Sequence, residues 1–563
     1  MPVTIHNKRY MLKLLGFKID DKELVRNIEN MGPNVKRIDS KEVEVEYPAN
    51  RPDMISTLGL ARAVRYYMRK SRDFKYEIKQ GSEIAISVGN HVSGIRPYIA
   101  ALVVDNMQLG EDDLLDIINF TEKLSNTYGR QRTRIALGLH DMKDVKGPLT
   151  YDAYEDEEFV PLGSKAKMKY SSVINSDRRG RKYVGLCKSG DRYVALKDKK
   201  GTMSLIPIIN SERTRVSAET KRMLVDITGG TREIIERVAD LLAADFMDRG
   251  FAVGRVEIRY RESSRSLPKM QSQQFSIPLK QLDDEIGVAI GFNNAIVLAN
   301  KMGHEAALVG RNIRVTAPAY RLDVINEQDI IEDIAVGYGY DYIQPVPVAS
   351  AAMGQLEEKS RVNNAARDAM TGLGFEEAMN SYLTNEETNF TKMRHAKESE
   401  YINIINPRSG LATMLRTWVL PSLLKQLGQS MHDSFPLRIF ELDMTFGIER
   451  NVPRETYHLA AVSCHSQANF NEAKASLEGL MQSLGAECEV VEGENRSMIE
   501  GRCATVVVGK RNIGFLGEVH PEVLTSFGIE EPVVGFEIDL TGWLDAAYGK
   551  SGANLAGDAG RQS

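Results

Sequence analysis

Cysteine is scarce in this chain: four in 563 residues, Cys187, Cys464, Cys488 and Cys503, with no Cys-x-x-Cys pair among them. That spacing argues against a zinc site and a disulfide framework, and it predicts a reducing compartment, the cytoplasm. Long apolar runs are missing too. None approaches the roughly 18 residues that a membrane-spanning helix needs, and Met1 to Arg9 carry no apolar segment of the signal-peptide kind. Basic residues are not in excess. The 72 Lys and Arg face 77 Asp and Glu for a net charge of −5, so any nucleic-acid surface must be local. No Ser-His-Asp or Cys-His nucleophile pattern can be traced. What remains is ordinary for globular protein, 42% hydrophobic and 26% charged, at a length for roughly three to five domains.

The most ordered feature is the stretch from Arg321 to Tyr340. Asp329, Glu332 and Asp333 fall at i, i+3 and i+4, which stacks them on one face of a helix. Asn326 is the expected N-cap, and Gly337 and Gly339 are the expected stop. Asp323 precedes the helix and can be brought beside it by a short extended connection. Four converging carboxylates repel one another unless a cation sits among them, and oxygen ligands suit Mg²⁺. Acids in the first turns of a helix also answer its dipole on a solvated face. Spacing alone leaves both readings open.

In chain order, the pattern predicts an N-terminal α/β module over 1–85, with a half-buried strand at Val43–Tyr47 and a helix from Ser56 to Arg69. Between them, Asn50, Arg51 and Asp53 form either a binding loop or a turn ahead of a helix cap. Residues 86–260 read as one α/β domain. It has buried strands at 95–105 and 134–141, a helix from Glu111 to Leu124, and another from Thr231 to Met247. Basic residues gather here at Lys123, Arg130, Arg132 and Arg134, then Arg178 to Lys182 and Lys197 to Lys200, as a solvated face or a nucleic-acid edge. The polar run 261–273 reads as a linker. A compact unit follows over 274–348, with helices near 279–286 and 293–302. A larger α+β domain is expected over 354–547, including a long helix from Thr413 to Gln429, and a disordered tail over 548–563.

Two polar strand ends in the second domain stand out. An apolar strand, Ile206-Pro-Ile-Ile, is expected to deliver Asn210, Ser211 and Glu212 together. Met223-Leu-Val-Asp-Ile-Thr-Gly-Gly presents Asp226 and Thr228. Together they can line a pocket for a small polar group. His140 ends a third strand, as a candidate for the same pocket or as a satisfied structural histidine.

Several ordered pieces carry a resemblance across nearly the whole chain. They are Tyr47-Pro-Ala-Asn-Arg-Pro-Asp53, Gly138-Leu-His-Asp141, Pro207-Ile-Ile-Asn-Ser-Glu212 and Tyr320-Arg-Leu-Asp323 with Glu332-Asp-Ile-Ala335. Asn406-Pro407, Leu415-Arg-Thr417, Leu420-Pro421 and Gly517-Glu-Val-His-Pro521 complete the set. In this order and spacing the chain resembles the β subunit of phenylalanyl-tRNA synthetase, in its shorter archaeal/eukaryotic-type form. The resemblance implies a multidomain α+β fold. Its parts are a B3/B4 editing-type α/β domain at 86–260, a winged-helix-like B5 domain at 274–348, and a class II synthetase-like antiparallel-sheet domain without catalytic motifs at 354–547. It implies an (αβ)₂ heterotetramer with the α subunit, which holds the ATP-dependent aminoacylation site, and tRNA(Phe) as the other partner. It places proofreading of mischarged Tyr-tRNA(Phe) near Asn210, Ser211, Glu212, Asp226 and Thr228, with Leu205 and His140 as substrate-binding candidates. It also places a Mg²⁺ site at Asp323, Asp329, Glu332 and Asp333, shared with the α subunit.

Two fragments resemble synthetase motifs without their context. Lys269-Met-x-Ser272 lacks the HIGH-type partner of the class I loop. Gly447-Ile-Glu-Arg450 lacks the glycine-rich lead-in of class II motif 3 and reads as a hairpin tip. Two rival functions stand beside the main one: an RNA-binding assembly scaffold with a vestigial pocket, and a free-standing metalloenzyme built on the four acids, which would have only His304 nearby.

Overall fold

The computed structural model describes residues 2–70, 76–78, 84–176, 178–348, 353–397 and 401–548. The expected disordered tail from Gly549 lies outside them. The chain divides into two compact units between Pro347 and Val348. No helix among the described residues is long and apolar enough to cross a membrane.

The first unit opens with a three-stranded antiparallel sheet in the order Val3–Asn7, Glu42–Glu46, Asn34–Ile38. Val43 and Val45 alternate with glutamates, so one face of the central strand is buried and the other is wet. Ser56 caps the helix Thr57–Tyr67 by accepting from Gly59 N. Of the two readings of the preceding turn, the structure supports the structural one. Arg51 and Asp53 pair at 2.9 Å and are both buried.

The dominant element is an 11-stranded sheet. Its main path runs Ile209–Asn210, Gly201–Leu205, Arg192–Asp198, Leu149–Tyr154, Ala85–Val88, Ala252–Arg259, Tyr98–Asp105, Met223–Gly229, Ile135–Asp141. The Tyr98 and Met223 strands are near-continuous apolar runs, buried on both faces. The helix Arg232–Asp248 joins their core through Ile235, Val238, Leu241, Leu242 and Phe246. The two ends of the path meet in space: Asn210 Nδ2 donates to Leu139 O at 3.1 Å. The sheet therefore curls until its last strand is stitched to its first.

Three expectations fail in this unit. The 261–273 run is not a free linker, because Ser264–Leu267 pairs as a strand with Ala252–Arg259. Asp240 then accepts from Lys269 N and Met270 N. The run's polar composition is that of an exposed strand face, with Leu267 and Pro268 its buried residues. Ile206-Pro-Ile-Ile is not a strand either. Strand Gly201–Leu205 ends before it, and a turn through 206–208 leads into the two-residue strand Ile209–Asn210. Finally, of the two glycines expected to stop the acidic helix, Gly339 does so, capping Glu327–Tyr338 at φ +100°, while Gly337 lies within the helix. A Cβ on Gly337 would lie 3.1 Å from Leu298 O, so this glycine permits the close approach of helix Phe292–Lys301.

That helix pair, helix Leu279–Ile286 and a three-stranded antiparallel sheet (Gln273–Pro278, Asn312–Ala317, Glu305–Val309) form a small α+β layer with its own core.

The second unit is organised on a seven-stranded sheet. Its order is Glu376–Glu377, Leu437–Glu449, Val452–Cys464, Val533–Asp539, Arg511–Val519, Met498–Val508, Glu489–Glu492, antiparallel apart from the first pair. Helices Glu358–Gly372 and Phe470–Ser483 share one apolar cluster with it, and Leu420–Gln429 and Pro521–Phe527 share another. Gly447–Arg450 does lie at a hairpin tip, where Arg450 and Asn451 take left-handed φ of 52° and 63° as a two-residue turn requires. The expected helix from Thr413 begins only at Leu420, with Pro421 in its first turn. Met414–Leu415 instead pairs with Leu383–Thr384, and Arg416 turns inward to Glu441, both side chains 1% exposed.

Candidate functional site

A pocket of about 380 Å³ opens where the large sheet closes on itself. Asn210, Asp226 and Thr228 line it, so two strands near in sequence but far apart along the sheet path deliver three of the expected residues. The other four lie elsewhere. Leu205 is fully buried in a separate apolar cluster. Ser211 points its hydroxyl at Val160 O, 3.2 Å away. Glu212 pairs with Arg215 and accepts from Gly163 N, and Arg215 holds its carboxyl below the usual range. His140 is fully buried behind Asp226.

The hydrogen bonds around Asp226 set the polarity of the pocket. His140 Nε2 lies 2.9 Å from Asp226 Oδ2, and its Nδ1 lies 3.0 Å from Thr214 Oγ1. An ionised Asp226 can only accept, so the imidazole donates through Nε2 and takes the Thr214 proton at Nδ1. Both ring nitrogens are then committed, and the second Asp226 oxygen is left as an acceptor for the pocket. Two residues along the same strand face, Thr228 Oγ1 accepts from Arg96 Nε at 2.9 Å. Arg96 also donates to Thr228 O at 2.6 Å and Arg132 O at 3.0 Å. It is 2% exposed, and that burial lowers its pKa. With a guanidinium on its lone pair, the Thr228 hydroxyl can direct its own proton into the pocket. An acceptor and a donor therefore stand side by side.

Space for this pair depends on Gly138, which lies opposite Asp226 in the register. A Cβ there would fall 2.0 Å from Asp226 Oδ2 and 3.0 Å from His140 Nε2. The wall adds Ser204, whose hydroxyl donates to Asn210 Oδ1 at 2.8 Å, and Arg132, which donates to Pro207 O at 2.8 Å. Sequence reading missed Ser204, Thr214 and Arg96, and took Arg132 only as one of a basic run. Only Gly138 carried a signal, as a glycine interrupting an apolar strand.

The acidic stretch is more occupied than its spacing implies. Arg321, 3% exposed, is inserted among the carboxylates. Its Nε donates to Asp323 Oδ1 at 2.9 Å, and one terminal nitrogen reaches Asp323 Oδ2 at 2.7 Å and Asp333 Oδ2 at 2.6 Å. His304 Nε2 meets the same Asp333 oxygen at 2.5 Å. Burial would raise Asp333, but Arg321 and then His304 outweigh it and hold this carboxyl well below its usual range. Asp329 folds back to cap its own helix, accepting from Ile325 N at 2.6 Å and Asn326 N at 2.9 Å. Glu332 remains exposed, and its carboxyl is raised by partial burial and then by Asp333, Asp329 and Asp323.

The four charges therefore feel one another, while their oxygens do not converge. Among the described residues no group of three or more His, Cys, Asp or Glu is arranged to hold a metal ion. One guanidinium against four carboxylates still leaves the cluster anionic at its outer edge, where a divalent cation is attracted by charge. The described residues alone supply no closed cage.

Comparison with known proteins places these domains. The model of the tRNA synthetase B5 domain matches residues 275–340. That of the phenylalanyl tRNA synthetase beta chain CLM domain matches 344–540. Both units thus carry domains of an aminoacyl-tRNA synthetase. The phenylalanine-tRNA ligase beta subunit of Pyrococcus horikoshii is 34% identical over 519 residues, covering 91% of this chain and 92% of that protein. That of Archaeoglobus fulgidus is 32% identical over 549 residues, covering 97% and 99%. A crystal structure of an N-terminal fragment of the Pyrococcus horikoshii phenylalanyl-tRNA synthetase beta subunit aligns at TM-score 0.58 and 28% identity, over 60% of this chain and all of that fragment. The chain belongs to the phenylalanine-tRNA ligase beta-subunit family.

Gly138→Ala should cost about 1–3 kcal/mol by overpacking and displace Asp226, as read from denaturant melts. Wild-type stability would show that the register has slack. Glu332 gives a pH test. Its folded pKa is raised, so its charge opposes folding above that value and the penalty disappears in acid. Glu332→Gln should raise the melting temperature at pH 7 without divalent cation and match wild type by about pH 3, below the ordinary glutamate range. A gain that persists in acid would contradict this account.

Proposed function

We propose that this chain is the beta subunit of a cytoplasmic phenylalanine-tRNA ligase. It works with an alpha subunit in an (αβ)₂ assembly in which the alpha subunit binds ATP and attaches phenylalanine to tRNA(Phe). On this reading 86–260 is an editing-type B3/B4 domain, 274–348 a winged-helix-like B5 domain, and 354–547 a class II-like fold without its own aminoacylation centre. The pocket hydrolyses tyrosine misattached to tRNA(Phe).

The observation that carries the reading is the adjacent acceptor and donor at Asp226 and Thr228. A phenol can donate to the first and accept from the second, whereas a phenyl ring would leave both unpaired in a buried site. Such unpaired groups reject the analogue lacking the hydroxyl by large factors. Ester hydrolysis then needs a water oriented by the Ser204, Asn210 and Arg132 rim, because both His140 nitrogens are committed. His140, Thr214 and Arg96 act as positioning residues.

Mg²⁺ on this reading sits at the outer edge of the acid cluster. Asp329 and Glu332 would hold it, with Asp323 and Asp333 behind them on Arg321 and the remaining ligands from water or the alpha subunit. Its contribution is neutralisation of an anionic surface at a subunit contact.

In the reconstituted heterotetramer, Asp226→Ala should slow Tyr-tRNA(Phe) deacylation roughly 10- to 100-fold, the worth of a charged hydrogen bond of about 1.5–3 kcal/mol. Phenylalanylation should be unchanged. Undiminished deacylation would remove Asp226 from the site. Absence of deacylation in the wild-type complex would favour the scaffold with a vestigial pocket. Asp329→Ala/Glu332→Ala should weaken Mg²⁺-dependent association with the alpha subunit in sedimentation velocity. Equal association of the double variant and wild type would exclude the cation role.

A further inference from the structure

A second cleft, of about 730 Å³, lies beside the pocket. Its lining includes Asn126, Arg130, Gln131 and Thr133 after helix Glu111–Asn126, and Lys182 and Tyr183 on helix Arg178–Cys187. No carboxylate is among its lining residues, in a chain whose net charge is −5.

The turn that builds it is unusual. Arg130, Gln131 and Arg132 have consecutive φ of 46°, 53° and 64°. Left-handed backbone costs a non-glycine residue about 1–2 kcal/mol. Three in a row persist because their N–H groups bond back to Thr127, Asn126 and Ser125 carbonyls, each at 2.9 Å. Gly129 is required at the pivot, since a Cβ there would meet Ser125 O at 2.3 Å and Ile135 O at 2.6 Å. Strain of this kind collects at functional sites. Its effect here is to split the run. Arg130 and Gln131 stand exposed in the cleft, while Arg132 turns back to the pocket wall.

Arg132 stands between the pocket, which it lines, and Tyr183 of the cleft. It lines the pocket, donates to Pro207 O at 2.8 Å and to Glu122 Oε2 at 2.6 Å, and its guanidinium lies 5.4 Å from the centre of the Tyr183 ring in the cleft. Lys182 Nζ lies 5.2 Å from the same ring. Glu122 neutralises Arg132 and with its other oxygen accepts from Asn126 Nδ2 at 2.9 Å, at the edge of the cleft. Exposed Arg130, Gln131 and Lys182, next to a site that takes an ester at the end of an RNA, form a donor set that a single-stranded phosphate backbone requires, while Tyr183, 7% exposed, supports the cleft from below.

We infer that this cleft is the track for the single-stranded 3′ end of the RNA whose terminal ester enters the pocket. Arg130 and Lys182 contact its phosphates, and Gln131 faces its bases. The inference rests on the hydrolytic reading of the pocket.

The test uses the reconstituted heterotetramer carrying Arg130→Gln/Lys182→Gln, neither residue lining the pocket. KM for Tyr-tRNA(Phe) deacylation should rise on the order of 10-fold with kcat unchanged. The slope of log(kcat/KM) against log salt should flatten by about 1.4, the loss of two single-strand phosphate contacts. Arg130→Lys/Lys182→Arg should restore both. Hydrolysis of tyrosine ethyl ester should be equal in wild type and variant. A variant matching wild type in KM and salt slope would overturn the track, and so would an equal loss on the small ester. If the wild-type complex hydrolyses neither substrate, the pocket reading fails on its own. The track is then decided by anisotropy of a short single-stranded RNA: weaker, less salt-dependent binding by the variant supports it, and unchanged binding overturns it.

Discussion

A carboxylate placed inside a β-sheet must be answered there, and Asp226 is answered across three strands. Its partner His140 lies on the last strand of the curled sheet, and the partner of His140, Thr214, follows the short strand at the other end of the path. Asn210 closes the same seam by donating to Leu139 O. Slipping any of these strands by one residue would turn its polar side chains to the opposite face and strand Asp226 without a donor. The interaction that defines the pocket is thus also one that pins the sheet's register.

Buried guanidinium groups do comparable work elsewhere. Arg96 holds Thr228, Arg321 binds Asp323 and Asp333, Arg249 bridges Asp116 and Asp245, and Arg416 meets Glu441 in the second unit. Each pair costs desolvation that good geometry repays, and each is costly to break from one side. In the acid cluster this has a functional consequence. Arg321 takes the inner oxygens, so the residual negative charge lies outward at Glu332 and Asp329, on the side open to solvent or a partner.

Local structure was legible where side-chain period or backbone chemistry decided it. Val43–Tyr47, the Asn326 cap and the helix after Thr231 follow from patterns within a few residues. The failures share a cause. Ser264–Leu267 looks like a linker because only one face of an edge strand is apolar, and Thr413–Leu420 looks helical until Arg416 is drawn into the interior by Glu441. Partners distant in sequence outweighed local preference in both places.

By itself the sequence determined the residue types: a helix dense in acids, two polar strand segments and a family pattern spread across the chain. It did not determine which side chains share a space. Asp226 and Thr228 meet Asn210 while Ser211 and Leu205 turn away, because adjacent residues on a strand face opposite sides and the sheet's closure selects one of them. Glu212 turns away because the chain leaves the strand for the turn Glu212–Thr214. Likewise the i, i+3, i+4 spacing put three acids on one helix, but only the folded chain placed Arg321 among them. Spacing sets the direction of a side chain; what it meets there depends on segments that only tertiary structure brings near.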